Sequence, residues 1–315
     1  MNVLFISPTY SGAGGIGPHA FRVAEKLREI GYNVELMHIP HIPIKNLKNL
    51  SFSLFGTIKG ISNKKTYDVV HAWNLPSAFI MKRIKSKKKI LSVHGVYSKQ
   101  VEMLHSKITS GIVSSQESQI LDWADVLTTD SKAVQSEYKK KLGKDFEYLP
   151  APLDKTKFEK ITNVERNPKQ IAYVGRDSFE KGIDILRKIE SKINGTVKFC
   201  TDLPWDETMK ILKASQMLVV PSRTESIPQV IKEAFYLKIP VIATNVGGIP
   251  EIIENQKTGI LIPPENPEKM IDAINNLLNN DLLIDNITKN AFELINENFT
   301  WEVLLPKYID LYEKQ

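Results

Sequence analysis

The chain has 315 residues, one cysteine and a formal net charge of +6, a length that suits two cores of about 150 residues each. A single thiol excludes a disulfide framework and fits a reducing compartment. No apolar run reaches the roughly 20 residues that span a bilayer. The charge is uneven: residues 1–155 hold 22 Lys+Arg against 13 Asp+Glu (+9), and residues 156–315 hold 20 against 23 (−3).

The chain opens with MNVLFISP, Met1 to Pro8, which has no basic leader or cleavage site and reads as a first strand. A cytoplasmic protein is therefore expected. Apolar, β-branched runs at 3–6, 33–39, 68–73, 89–93 and 126–129 read as strands. Between the first two, His19 to Ile30 has the period of an amphipathic helix stopped by Gly31. In the stretch from Ile44 to Ile61, Leu47, Leu50, Leu54, Ile58 and Ile61 fall on one helical face. A helix laying that face over the sheet is the plain expectation, and an interfacial membrane helix the sharper one.

The densest basic run, KRIKSKKK from Lys82 to Lys89, reads as a solvated helix end. An anionic membrane surface is its functional alternative, with nucleic acid a distant third. Two prolines in LPAPLD, Leu149 to Asp154, disfavour helix and mark the domain boundary. Beyond it, strands at 170–174, 197–200, 217–220, 241–244 and 259–262 alternate with helices again. Such alternation implies βαβ units and two doubly wound parallel-sheet domains. Ligands then bind beyond the carboxyl ends of the strands, and two facing domains would place the site in a cleft. The expected organisation is an N-terminal Rossmann-like domain over 1–152, a second over 153–299, and a terminal helix over 300–315 returning to the first domain.

GAGGIG, Gly12 to Gly17, is a literal G-x-G-x-x-G, which alone suggests a dinucleotide-binding dehydrogenase. Two features argue otherwise. Ser7 to Ser11 separates the strand from the first glycine, and the second strand ends in MHIP, without an acid for the ribose. A flexible loop whose amides approach a phosphate or sugar before a helix N-terminus fits better. His94 follows the strand 89–93 and precedes Gly95, at a position where an imidazole would reach a ligand. The remaining histidines read as packed or surface residues. Arg176 and Lys181 lie in the turn after strand 170–174, where two cations at a helix start would neutralise a diphosphate. Glu225 and Glu233 are spaced E-x7-E, the first just before a helix and the second about two turns along it. Roughly 12 Å of helical rise separates them, which suits two ends of an extended ligand better than one acid–base pair.

Together these motifs resemble a family 4 retaining glycosyltransferase of the GT-B fold. The resemblance runs through Ser7-Pro8, Gly14-Gly15, DVVH (68–71), His94-Gly95, VGR (174–176), Lys181-Gly182, ESIPQVIKE (225–233), GGIPE (247–251) and FTW (299–301), nearly the whole chain. E-S-I-P-Q stands where E-G-F-G is commoner. The resemblance implies transfer of a sugar from a nucleotide-diphosphate-sugar donor to a glycan or lipid-linked acceptor, with retention of configuration. The donor is then held by Gly14, Gly15, Arg176, Lys181, Glu225, Ser226, Ile227, Pro228 and Glu233. His94 and Glu225 would face the donor sugar, Arg176 and Lys181 the diphosphate, and Glu233 the ribose; His94, Glu225, Arg176 and Lys181 form the catalytic set. No D-x-D triplet occurs and the histidines and cysteine lack metal-ligand spacing, so neither metal nor other cofactor is expected. The basic N-terminal half is the expected contact with an anionic membrane face, and no nucleic-acid partner is expected. Two alternatives stay open: a GT-B nucleotide-sugar epimerase, which needs no acceptor, and a non-catalytic sugar-nucleotide-binding module.

Overall fold

The structure is a computed structural model, and it describes residues 1–10, 15–40, 42, 44, 48–95, 116–162 and 164–314. The chain divides into two compact units, Met1–Pro150 with Leu305–Gln315, and Ala151–Leu304. Among the described residues no helix is long and apolar enough to cross a membrane.

The first unit is a six-stranded parallel sheet in the order β2-β1-β3-β4-β5-β6. Its elements are β1 (Asn2–Ile6), α1 (Ile16–Glu29), β2 (Asn33–Met37), α2 (Lys48–Ser62), β3 (Thr66–Trp73), α3 (Leu75–Met81), β4 (Lys85–Ser92), β5 (Val126–Thr129), α4 (Lys132–Leu142) and β6 (Glu147–Tyr148). β1 is an interior strand with both faces apolar, and Val3, Leu4, Phe5 and Ile6 are fully buried, as a parallel strand covered on two sides requires. The strand order reverses between β1 and β3, and the loop after β1 leads into α1 at that switch point. α1 buries Ala20, Val23, Ala24 and Leu27 along one stripe.

The second unit is a five-stranded parallel sheet in the order β11-β10-β9-β7-β8. It runs β7 (Asn167–Val174), α5 (Ile183–Ile189), β8 (Thr196–Cys200), α6 (Trp205–Ala214), β9 (Ser215–Val220), α7 (Gln229–Tyr236), β10 (Val241–Thr244), β11 (Ile260–Ile262), α8 (Pro267–Leu278), α9 (Asp281–Asn298) and α10 (Trp301–Glu313). Its switch point lies between β7 and β9, whose register pairs Ile171 with Met217 and Ala172 with Leu218. From Leu305 onward α10 belongs to the first unit. There Tyr308 donates to Pro150 O at 3.2 Å, and Tyr312 Oη lies 2.6 Å from His71 Nδ1.

Three expectations need correction. β2 ends at Met37, short of residue 39. KRIKSKKK is a helix end only at its start: Lys82 is the C-cap of α3, whereas Lys85 to Lys89 begin β4, exposed or half-buried. Part of that run is structural, since Lys88 Nζ donates to Leu311 O at 2.8 Å and Lys314 O at 2.6 Å. It thereby caps carbonyls at the carboxyl end of α10 with a cation. Finally, the apolar face of α2 does not cover the sheet. The packed side carries Phe52, Gly56 and Gly60, all buried. A Cβ on Gly56 would stand 2.3 Å from Ile80 Cδ1, so any larger residue would force the Ile80 side chain to shift. Leu50, Leu54, Ile58 and Ile61 point the other way and are exposed.

Candidate active site

The second unit gathers most of the expected residues at the carboxyl ends of β7 and β9, its switch point. After β7 the chain turns at Gly175, whose N–H donates to Cys200 O at 3.1 Å. Tyr173 donates its hydroxyl to Arg176 O at 2.8 Å, pinning the turn from below. Burial first, then the negative charges of Asp177 and Glu225, hold that phenol protonated well above its ordinary value. A 3-10 turn at Phe179–Lys181 and a left-handed Gly182 (φ 67°) then start α5.

Two contacts join this turn to the loop after β9. A Cβ on Gly182 would meet Pro221 O at 2.0 Å, so the two backbones touch where only glycine fits. Arg223, nearly buried, forks onto Asp184 with bonds of 2.6 and 2.9 Å. It also donates to Phe179 O at 2.6 Å, lies 3.8 Å above the Phe179 ring and pairs with Glu265. The Asp184 hydrogen bond, followed by those to Glu265, drives the guanidinium pKa up, while the same bond from Arg223 draws the Asp184 carboxyl down. Sequence reasoning passed over Arg223; the one signal was a cation inside the P-S-x-x-E segment.

Held this way, Lys181 Nζ donates to Glu225 Oε1 at 2.5 Å, and Ser222 Oγ donates to the same oxygen at 3.0 Å. The Glu225 backbone is fixed from behind. Gly247 (φ 55°) would place a Cβ 1.8 Å from Glu225 O, and Gly248 N–H donates to Ser226 O at 2.9 Å. Ile227 is buried and Pro228 is the N-cap of α7. Glu225 therefore lies four residues ahead of the helix, so the separation from Glu233 is not a run of two helical turns; only Gln229 onward is helical. Glu233 projects from α7, is buried, and accepts from Trp205 Nε1 at 2.8 Å. One helix residue earlier, the fully buried Lys232 donates to Ala151 O at 2.6 Å and so ties α7 to the linker. Arg176 is not drawn into the Glu225 pair. Its side chain is 71% exposed and its Nη2 lies 3.1 Å from Glu180 Oε1. Burial would raise the Glu180 carboxyl, but its own backbone N–H, Ser178 and Arg176 together bring it below its ordinary value.

In the first unit, His94 follows β4 and Asp130 follows the adjacent strand β5. His94 Nδ1 lies 3.1 Å from Asp130 Oδ2, both side chains nearly buried. A carboxylate there favours a proton on Nδ1 and so fixes which edge of the ring Nε2 presents. That Nε2 is buried and has no hydrogen-bond partner among the described residues. Trp73 stacks on the imidazole at 6.2 Å and 14°, and His19 meets it edge-on at 5.6 Å. His19 Nε2 itself lies 2.8 Å from Tyr308 Oη. Asp130 was the second residue missed, although an acid at the end of the strand after His94 was visible. His71 is packed as expected, fully buried between Tyr312 and Ser92. Gly15 takes the N-cap position of α1 at φ 89°, and Gly14 lies outside the described residues. Among the described residues no group of three or more His, Cys, Asp or Glu is placed to hold a metal ion.

Residues 187–294 match the model of the family glycosyl transferases group 1. An uncharacterized glycosyltransferase of Methanocaldococcus jannaschii is 22% identical over 367 residues, which span 95% of this chain and 94% of that one. The chain is thus similar to group 1 glycosyltransferases, the family match lying within its second unit. Among solved structures, this chain is similar to a sucrose-phosphate synthase from Thermosynechococcus elongatus, with a TM-score of 0.82 at 16% identity over 99% of this chain and 98% of that one. It is also similar to Anabaena HepE, solved in complex with UDP and glucose, with a TM-score of 0.75 at 15% identity over the full length of both chains. These likenesses show the fold, which is GT-B.

Proposed function

We propose that this chain moves a sugar from a nucleotide-diphosphate-sugar donor to a glycan or lipid-linked acceptor, with retention of configuration and without a metal ion. The observation that carries the reading is the pairing of Lys181 with Glu225 at the switch point of the second unit, with Glu233 on the adjoining helix. A complex of HepE with UDP and glucose supports a nucleotide-sugar donor here.

In this reading Glu233 accepts the ribose hydroxyls. Its hydrogen bond from Trp205 selects one carboxylate orientation. Lys181 and the exposed Arg176 receive the diphosphate, and their positive charge stabilises the negative charge that grows on it as the glycosidic bond breaks. Glu225, steadied by Lys181 and Ser222, orients hydroxyls of the transferred sugar. His94 accepts or donates a hydrogen bond at Nε2 to that sugar, with Asp130 fixing the ring. The departing phosphate oxygen takes the acceptor proton, so attack and departure occur on one face and the anomeric configuration is kept. We place the reaction in the cytoplasm.

Thermal-shift screening of UDP, GDP and ADP in the presence of a chelator tests this. A ligand at 100 times its dissociation constant adds about 2.7 kcal/mol of stability. One nucleotide should raise the melting temperature and the others not. Absence of any shift at saturating concentration refutes the donor assignment.

A further inference from the structure

The exposed side of α2 finds no role in the transfer chemistry. Large apolar side chains that lie open to solvent are normal when scattered singly. In the second unit they are scattered: Phe179, Leu282 and Val303 stand far apart in sequence. In the first unit they are not. Of the fourteen exposed large hydrophobic residues among those described, seven fall between Ile42 and Ile61. Four of them form a ridge at helical spacing: Leu50 is 67% exposed, Leu54 57%, Ile58 60% and Ile61 65%. Phe55 adds to its flank.

This ridge is not a loosely packed core face, because the helix already has one. Phe52, Gly56 and Gly60 seat α2 against α3 so closely that a methyl group on Gly56 would overlap Ile80. The helix is thus fixed with its apolar ridge outward, at an exposure that water makes unfavourable unless something covers it. Charge says what. From residue 36 to residue 101 the chain has twelve Lys+Arg and one acid, Asp68. Lys59 and Lys64 are exposed on or just beyond α2. Arg83, also exposed, approaches the α2 backbone closely, its Cβ 3.4 Å from the position a Cβ on Gly60 would take. An apolar ridge with Lys59, Lys64 and Arg83 beside it, and Glu35 as a nearby carboxylate already paired with Lys65 at 2.9 Å, complements a surface with negative headgroups above an apolar interior.

We propose that α2 is an interfacial anchor that lays Leu50, Leu54, Ile58 and Ile61 into the headgroup boundary of an anionic phospholipid bilayer. The anchor stands apart from the transfer reaction, so its test does not need an acceptor. The full chain is mixed with vesicles of phosphatidylglycerol and phosphatidylcholine in equal parts, or of phosphatidylcholine alone, and floated at low and high salt. The expected result is partition onto the anionic vesicles about tenfold above the neutral ones, weakened by salt. Leu54→Glu with Ile58→Glu should lower that partition at least about tenfold, with unfolding unchanged because both side chains are exposed. Should that variant fold poorly, Leu50→Ser with Ile61→Ser serves the same purpose. The proposal falls if the chain stays with the soluble fraction, or if it floats equally on neutral vesicles. It falls too if the variants float like the parent, or if the parent is a dimer that the variants dissociate, which would make a second copy the occupant.

Discussion

Gly247→Ala is the substitution whose consequence follows most directly from the coordinates. Gly247 has φ 55° and an added Cβ would stand 1.8 Å from the carbonyl oxygen of Glu225 and 2.9 Å from its carbon. The left-handed backbone alone costs an alanine about 1–2 kcal/mol. Overlap with a backbone atom adds about 1–3 kcal/mol as the structure gives way. The sum of about 2–5 kcal/mol corresponds to a fall of roughly 4–20 °C in melting temperature for a unit of this size. Relief requires the Glu225 carbonyl to retreat by about an ångström, a displacement that costs about a hundredfold in turnover. Gly143→Ala separates the two effects. Gly143 ends α4 at φ 64° with nothing within 4 Å of the added Cβ, so only the backbone strain applies. Chemical denaturation and nucleotide-sugar turnover are to be measured on both variants while folded. If Gly247→Ala loses no more stability than Gly143→Ala and keeps full turnover, the close approach does not position Glu225.

Two further outcomes are expected. Asp130→Asn should lower kcat about a hundredfold, with the KM for the donor nearly unchanged and the pH profile displaced; an equal loss in both parameters would assign Asp130 to binding. His71 is held well below its ordinary value of 6.5, by burial first and by His94 second. The unfolded chain therefore takes up a proton that the folded chain refuses, and stability is full above pH 6.5 and falls below it. His71 should account for a loss on the order of 1 kcal/mol between about pH 7.5 and pH 5.5. Urea unfolding at the two pH values, repeated on His71→Asn, should show that part of the slope disappear.

The sheets were legible because most of the parallel strands are short apolar, β-branched runs between turn residues, and ten of the eleven described strands announced themselves this way. β6 did not, since two residues, Glu147 and Tyr148, carry no period. Position along the chain also disclosed Lys181, Glu225 and Glu233, which the fold brings to the ends of β7 and β9 or the helix beside them. The orientation of α2 was not legible. Apolar spacing says that a face exists, not which side is buried, and here the tight side was marked by Gly56 and Gly60 instead of by leucines. Asp130 and Arg223 escaped for a different reason: each acts through a neighbour distant in sequence, His94 or Asp184, and pairing across strands has no local signature.

The central claim is that the second unit binds a nucleoside diphosphate through Lys181 and Glu233. Isothermal titration of UDP, or of whichever nucleotide gave the thermal shift, in the presence of a chelator measures it on the parent chain, Lys181→Met and Glu233→Gln. Each variant removes a charged hydrogen bond worth about 1.5–3 kcal/mol, so one site per chain should weaken about ten- to a hundredfold in each. Parental affinity in both variants would contradict the account.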